Sequence, residues 1–248
     1  MNIIADTHTH TTASTHAYSS LQEMVHAASI KGLYAIAITD HGINMPSAPG
    51  RWYFTNLRVV PHILEGVLVL RGQETDVIDF EGNTDLEDEC ADKLDWIIAS
   101  IHSDAMIPEK PTVESVTNAW LNIAKNPHIN VIGHSGSEDY RYDYETVIPE
   151  FGRQGKLVEI NEGSYIARKK SIANCIKIIE VCKKHSVPII VNSDSHFSTG
   201  VGCFEHSLAL LEELDFPEEL VVNSSVARFQ AYLREHSVVV KDPLLKLQ

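Results

Sequence analysis

The sequence contains little cysteine and no long apolar run. Only 4 of its 248 residues are cysteines, and no two of them have the CxxC spacing of redox motifs and structural zinc sites. The longest apolar runs, such as 67–70 and 188–191, are far shorter than the ~20 residues that a membrane-spanning helix needs. Residues 1–6 have neither the basic nor the apolar segment of a secretory signal. We therefore expect a cytoplasmic protein, with no disulfide framework and no membrane contact.

Basic side chains are also scarce. The 20 lysines and arginines are outnumbered by 34 aspartates and glutamates, which gives a formal net charge of −14. An acidic surface repels phosphate backbones, so we expect no duplex nucleic acid among the partners. The hydrophobic fraction of 44% suffices for a large core, and no Pro-, Gly- or Ser-rich linker divides the chain. The sequence predicts a single domain over residues 1–248 and leaves the oligomeric state open.

Short β-branched runs alternate with amphipathic stretches along the chain. The predicted strands are residues 3–5, 34–39, 67–72, 96–101, 131–133, 157–160 and 189–192. The predicted helices lie near 21–30, 113–124, 144–154, 172–185, 205–214 and 226–234, and the acidic stretch 76–89 is predicted to be a surface loop. This alternation is typical of parallel strands joined by helical crossovers. Seven such strands predict an α/β fold, a distorted TIM-like (β/α)7 barrel, with an open doubly wound sheet as the alternative.

Histidine, by contrast, is abundant. The sequence has 13 histidines, of which seven follow predicted strands, and two acidic residues lie at equivalent positions. The carboxyl ends of parallel strands meet at the face of a barrel where active sites form. The nine residues expected at this face are His8, His10, His16, His41, Glu74, His102, His134, Asp194 and His196. Their joint placement predicts a metal centre, because chance would also have put several of them on helix faces.

Two pairs within this set have the spacing of neighbouring ligands. In extended backbone, residues i and i+2 point the same way, so His8 with His10, and Asp194 with His196, can each face one ion. Imidazole and carboxylate ligands favour zinc, with manganese or iron as alternatives, and they disfavour magnesium. A single His-x-His pair is more often an ordinary polar loop, and we expect structural or surface roles for the other six histidines.

Six short motifs that contain these residues span nearly the whole chain. They are Asp6-Thr7-His8-Thr9-His10, Ile38-Thr39-Asp40-His41-Gly42, Gly72-Gln73-Glu74, His102, Gly133-His134 and Ser193-Asp194-Ser195-His196. In type and order they resemble the PHP (polymerase and histidinol phosphatase) superfamily of metal-dependent phosphoesterases. Residues 13–19 make the chain most similar to the small single-domain YcdX-like phosphatases.

The resemblance implies a distorted barrel that holds three divalent transition-metal ions. The ligands implied for the first ion are His8, His10, Glu74 and Asp194. Glu74 would bridge to a second ion at His102 and His134. The ligands implied for the third ion are His16, His41 and His196. These nine ligands leave open positions on each ion, as catalytic sites require.

The resemblance also implies an enzyme that hydrolyses small phosphomonoesters, by attack of a metal-bridging hydroxide on phosphorus. Arg168, after the sixth strand, is the candidate phosphate clamp, because a guanidinium fork fits a phosphate; the alternative is a solvated basic helix start. Asp40 is the candidate general acid for the leaving oxygen, or else a residue that orients a ligand histidine. The expected partner is a small phosphorylated substrate, of which histidinol phosphate is one possibility.

Three other functions compete with this hypothesis. An amidohydrolase also uses His-x-His after a first barrel strand, but it usually adds a lysine after a middle strand, and none follows the third, fourth or fifth strand here. A PHP-type 3′–5′ exonuclease or phosphodiesterase is the more serious alternative, disfavoured by the net charge of −14. A non-catalytic metal-binding module is disfavoured by the open coordination.

Overall fold

Seven parallel strands form one continuous sheet that curves into a nearly closed barrel. The computed structural model describes residues 1–106 and 110–237. The strands in this part of the chain are β1 (Ala5–Asp6), β2 (Ala35–Ile38), β3 (Ile63–Leu64), β4 (Val67–Asp76), β5 (Trp96–Ser100), β6 (Val131–Ile132), β7 (Leu157–Asn161) and β8 (Ile189–Asn192). Hydrogen-bonded neighbours follow the order β1-β2-β4-β5-β6-β7-β8, whereas the short β3 pairs antiparallel with β4. The fold is therefore the expected distorted (β/α)7 barrel.

Helices connect the strands. They are α1 (Leu21–Ile30), α2 (Arg51–Asn56), α3 (Asp88–Ala91), α4 (Val113–Lys125), α5 (Tyr144–Arg153), α6 (Gly163–Ile166), α7 (Ile172–His185), α8 (Glu205–Glu213) and α9 (Val226–His236). At the start of α1 the Ser20 side chain and Glu23 form a capping box, which satisfies backbone N–H groups of the first turn. No helix within residues 1–106 and 110–237 has the length and apolar character needed to cross a bilayer.

The interior face of the barrel changes from apolar to polar along the strands. Side chains two residues apart lie on the same face of a strand. On the inward face, Glu159 lies two positions after Leu157 in β7, and Asn192 lies two positions after Ile190 in β8. All four residues are buried. The apolar end packs against Phe229 of α9, which covers the amino-terminal opening of the barrel. Buried polar groups are thereby concentrated at the carboxyl-terminal end.

Side-chain amides join the first and last strands, β1 and β8. Asn223 Nδ2 donates to the carbonyl oxygens of Ala5 at 2.8 Å and Val191 at 2.6 Å, and its Oδ1 accepts from the Val191 N–H at 3.1 Å. Asn192 Oδ1 accepts from both the N–H and the hydroxyl of Thr7, each at 2.8 Å. Asn223 is fully buried, so it satisfies backbone groups that would otherwise lose their partners at the seam.

The structure differs from the sequence prediction in three places. The strand predicted at 67–72 extends to Asp76, so Glu74 lies inside β4 instead of at its end. The elements β3, α2, α3 and α6 are missing from the prediction because they have six residues or fewer, too few for a hydrophobic period. The prediction of a surface loop over 76–89 is wrong for Asp76, Val77, Phe80 and Asp85, which are buried; Asp85 Oδ1 accepts from the Asp76 N–H at 2.8 Å.

We predict that Asn223→Ala lowers the free energy of unfolding by about 3 kcal/mol, since three hydrogen bonds disappear and buried backbone groups lose their partners. Urea denaturation measures the change. The control is Asn122→Ala, which removes two exposed hydrogen bonds, one from Nδ2 to the Glu81 carbonyl and one from Lys125 Nζ to Oδ1. Equal losses in the two variants would contradict a special role of the seam.

Candidate metal centre

The carboxylate of Glu74 is the centre of the site, and it is fully buried. Imidazole nitrogens from several strand ends face both of its oxygens. Oε1 faces Nε2 of His134, His8 and His102 at 3.0, 3.2 and 3.6 Å. Oε2 faces His41 Nδ1 at 2.8 Å and His10 Nε2 at 3.5 Å. A carboxylate whose two oxygens face different sets of imidazoles is suited to bridge two ions.

Asp194 forms a second group with the histidines that follow β1. Its Oδ1 lies 3.3 Å from His10 Nε2 and 3.6 Å from His8 Nε2. The backbone φ of Asp194 is 56°, a left-handed conformation that aspartate adopts more readily than most residues. Donor atoms of His8, His10 and Asp194 all lie within 4.8 Å of one another, which is compatible with one shared ion.

Three histidines form a third group at the open side of the site. His16 Nε2 lies 3.2 Å from His41 Nε2 and 3.0 Å from His196 Nε2. His16 is exposed and His196 is half-buried, so solvent and ligands reach this group. Neutral imidazole nitrogens that face each other at this distance need either a proton or a cation between them. The nine predicted ligands are thus brought together in three adjoining groups.

Two buried carboxylates that the sequence analysis missed hold the outer nitrogens of ligand histidines. Glu159 Oε1 lies 2.7 Å from His8 Nδ1, and Asp76 Oδ1 lies 2.6 Å from His102 Nδ1. A carboxylate at Nδ1 fixes the ring so that Nε2 faces inward as a lone-pair donor. The sequence pattern that could have revealed them is an acidic residue on the inward face of a buried strand. Glu159 lies two positions after an apolar residue in β7, and Asp76 lies two positions after Glu74 in β4.

The site carries a large excess of negative charge. Glu74, Asp76 and Glu159 are buried, and the Asp194 side chain is only 7% exposed; among the described lysines and arginines only Arg168 forms an ion pair with any of them, at 2.7 Å from Asp194 Oδ2. Burial and the neighbouring Asp85 and Glu74 carboxylates raise the pKa of Asp76 to about 9. Burying carboxylates without compensating cations is costly, so the site favours bound cations.

The histidines fall into two groups by pKa: despite burial, the neighbouring Glu159 and Glu74 carboxylates raise the pKa of His8 and Glu74 raises that of His41, whereas burial dominates for three others. Burial lowers the pKa of His10 well below its ordinary value, and the pKa values of His102 and His134 are lowered for the same primary reason. A histidine must be neutral to ligate a metal. Within the described part of the chain, His8 Nε2, His10 Nε2 and Glu74 Oε2 have no hydrogen-bond partner although they are buried. The donor set therefore fits divalent transition metals.

Asp40 lies beside this centre, with its oxygens turned toward the loop after β1. It accepts hydrogen bonds from the N–H and hydroxyl of Thr11, from the N–H and hydroxyl of Ser14, and from the Tyr53 hydroxyl, at 2.5–3.2 Å. The Ser14 hydroxyl oxygen also accepts from the His41 N–H at 3.1 Å. Asp40 is thus linked to the backbone of a candidate ligand through one serine.

Arg168 follows α6 and lies at the edge of the centre. One of its terminal nitrogens donates to Asp194 Oδ2 at 2.7 Å and to Asn161 Oδ1 at 2.9 Å. Its Nε is buried and has no hydrogen-bond partner among the described residues. The guanidinium therefore retains donor capacity next to the candidate ligands.

A model of the PHP domain family matches residues 6–179, which is more than half of the chain. The chain belongs to the PHP family. Two relatives match this PHP protein over nearly their full lengths. A probable phosphatase of Acetivibrio thermocellus is 44% identical over 234 residues, covering 94% of this chain and 96% of that protein. A probable phosphatase of Caldicellulosiruptor saccharolyticus is 44% identical over 236 residues, covering 95% and 98%.

A solved structure is similar to this PHP protein in fold. The histidinol phosphate phosphatase of Lactococcus lactis, determined with zinc, L-histidinol and phosphate, superposes with a TM-score of 0.60 and 15% identity. The match covers 88% of this chain and 95% of that one. At this identity the likeness supports the barrel alone. The PHP membership that the six motifs indicated is confirmed by the family match.

We predict that Glu159→Gln weakens metal binding by about 10- to 100-fold, because the carboxylate that holds His8 Nδ1 loses its charge. Metal retained after dialysis against graded chelator, measured by elemental analysis, gives the change. Glu65→Gln is a matched control, since Glu65 Oε2 lies at the same 2.7 Å from a histidine Nδ1, that of His26, but at the exposed surface. Equal metal retention in the two variants would contradict the role of Glu159.

Proposed function

We propose that this PHP protein is a metal-dependent phosphatase that hydrolyses small phosphomonoesters at a trinuclear, zinc-loaded site, with manganese or iron as the alternative metals. Two relatives that are 44% identical to this chain over at least 94% of its length are named probable phosphatases. The chain is therefore an enzyme that acts on phosphoric ester bonds. The observation that carries the finer proposal is the convergence of seven imidazoles and two carboxylates in three adjoining groups around Glu74, Asp194 and His16.

The ligand assignment proposed for the three ions follows these groups. His8, His10, Glu74 and Asp194 would hold the first ion. The ligands proposed for the second are Glu74, His102 and His134, and those for the third are His16, His41 and His196. Bound ions of this kind lower the pKa of water and neutralise phosphoryl oxygens.

The reaction needs water, a bound phosphoryl group and a proton for the leaving alcohol. The water oxygen forms a bond to phosphorus, the phosphorus–oxygen ester bond breaks, and the products are the alcohol and inorganic phosphate. The chain supplies Arg168, which lines a cavity next to the centre and whose terminal guanidinium nitrogens can bind phosphoryl oxygens beside Asp194. Asn161, which accepts from Arg168 at 2.9 Å, keeps the guanidinium at this edge.

The size of the cavity supports a small substrate. A cavity of about 380 Å³ adjoins the centre and is lined by His16, Arg168, Asp194 and His196, among others. This volume holds a compound of metabolite size but no folded macromolecule. We also propose a cytoplasmic location, because all four cysteines are unpaired and a reducing compartment keeps thiols in that state.

The direct test is the release of phosphate from p-nitrophenyl phosphate by the purified protein. We expect close to three transition-metal ions per chain by elemental analysis, loss of activity after removal of metal by chelator, and recovery on addition of Zn²⁺ or Mn²⁺. Hydrolysis of bis(p-nitrophenyl) phosphate or single-stranded DNA without hydrolysis of monoesters would instead identify a phosphodiesterase. One ion or none in an active protein would overturn the trinuclear proposal.

We predict that Arg168→Ala lowers kcat/KM for p-nitrophenyl phosphate by about 10- to 100-fold and weakens competitive inhibition by inorganic phosphate, because a charged hydrogen-bond donor to the phosphoryl group is lost. Arg168→Lys should retain part of the kcat/KM that Arg168→Ala loses, since lysine keeps the positive charge but cannot bind a phosphate through two parallel hydrogen bonds as a guanidinium does. Lys169→Ala is the control, and its kinetics should match the wild type. Unchanged kinetics in Arg168→Ala would remove Arg168 from the site.

For Asp40 we propose a positioning role. We predict that Asp40→Asn lowers kcat by the same factor for p-nitrophenyl phosphate and for glycerol phosphate, because the loop that Asp40 holds through Thr11 and Ser14 serves both substrates. A general acid would behave differently, since glycerol is a far poorer leaving group than p-nitrophenolate and depends more on protonation. A selective loss with glycerol phosphate would therefore assign proton donation to Asp40.

A further inference from the structure

Three large apolar side chains are exposed around the cavity that adjoins the metal centre. Tyr18 and Ile166 are each 73% exposed, and Phe197 is 50% exposed. All three line the same cavity of about 380 Å³, together with Gly200. Exposed apolar side chains that cluster around a concave site, unlike isolated ones, mark binding surfaces.

The positions of these side chains are tied to those of the candidate ligands. Tyr18 lies two residues after His16, and its N–H donates to the His196 carbonyl at 2.9 Å. Phe197 directly follows His196. A further hydrogen bond, from the Ser198 N–H to the Ser19 hydroxyl oxygen at 3.0 Å, joins the same two loops. The backbone segments that carry Tyr18 and Phe197 are therefore joined to each other and to the candidate ligand His196.

The opposite side of the same cavity is polar. It contains His16, Asp194 and His196 of the metal centre, and Arg168, which lies two residues after Ile166. The cavity thus has one wall suited to a phosphoryl group and one suited to an apolar group. Glu162 also lines it, but this residue is only 5% exposed and its carboxylate accepts three hydrogen bonds from His206 and Ser207 at the start of α8, so it offers little surface to a cationic substrate group.

We infer that the substrates are phosphomonoesters whose alcohol carries a flat apolar ring, and that Tyr18, Ile166 and Phe197 determine this specificity. This inference rests on the proposed phosphatase function. With the phosphoryl group at Arg168 and the histidines, the ring occupies the apolar wall, where aromatic and aliphatic surface leaves water. Esters of small polyols, which have no such surface, bind less tightly.

The test compares the binding of two phosphonates that cannot be hydrolysed. Isothermal titration calorimetry on the zinc-loaded protein should show that benzylphosphonate binds at least about tenfold more tightly than methylphosphonate, the factor expected when one face of a ring leaves water. In the double variant Ile166→Ala/Phe197→Ala, this ratio should fall toward one. Trp52→Ala is the control, because Trp52 is 80% exposed but lines a different cavity, and the ratio should stay as in the wild type.

A kinetic comparison separates this inference from the proposed function. Benzyl phosphate and glycerol 3-phosphate are both esters of primary alcohols, and we expect a higher kcat/KM for benzyl phosphate that the double variant abolishes. Equal affinities of the two phosphonates in a protein that does hydrolyse p-nitrophenyl phosphate would overturn the apolar wall and leave the phosphatase function intact. Failure of both phosphonates to bind, with no phosphate release, would overturn both.

Discussion

The concentration of carboxylates at one end of the barrel is the constraint on which the rest of the site depends. The side chains of Glu74, Asp76, Glu159 and Asp194 lie together and are almost fully covered, and Arg168 balances only a part of their charge. Such a group is costly unless protons or bound cations neutralise it. Surrounding imidazoles supply the remaining donors. The same electrostatic requirement that makes these carboxylates costly to bury favours bound cations beside them.

The barrel provides this arrangement through a simple change along its interior. Where a strand begins, the inward positions are apolar and pack against α9, and where it ends they are polar. Parallel strands therefore contribute their polar ends to a single place, although the residues are more than 150 positions apart, as are His8 and Glu159. The apolar side chains at the amino-terminal end of the barrel interior stabilise the fold, and the polar side chains at the carboxyl-terminal end can bind ligands.

Much of the barrel and of the candidate site was predictable from the sequence, because the alternation of strands and helices shows where each strand ends. The helices α1 and α7 have the predicted bounds, and His8, His10 and His134 lie where alternation placed them. Residues that act through others were not found. Glu159 lies inside a strand, and its role depends on a hydrogen bond to His8 that no local pattern encodes. The orientation of Asp40 depends on the fold of the loop at Thr11 and Ser14, which sequence periodicity does not describe.

The amide seam at Asn223 has a mechanical consequence. The strands β1 and β8 are the two edges of the sheet, and hydrogen bonds from the Asn223 side chain join them. The loops that carry candidate ligands after these two strands therefore belong to opposite edges of the sheet. A cation held by both His10 and Asp194 would add a second link between the segments that follow the first and last strands of the barrel.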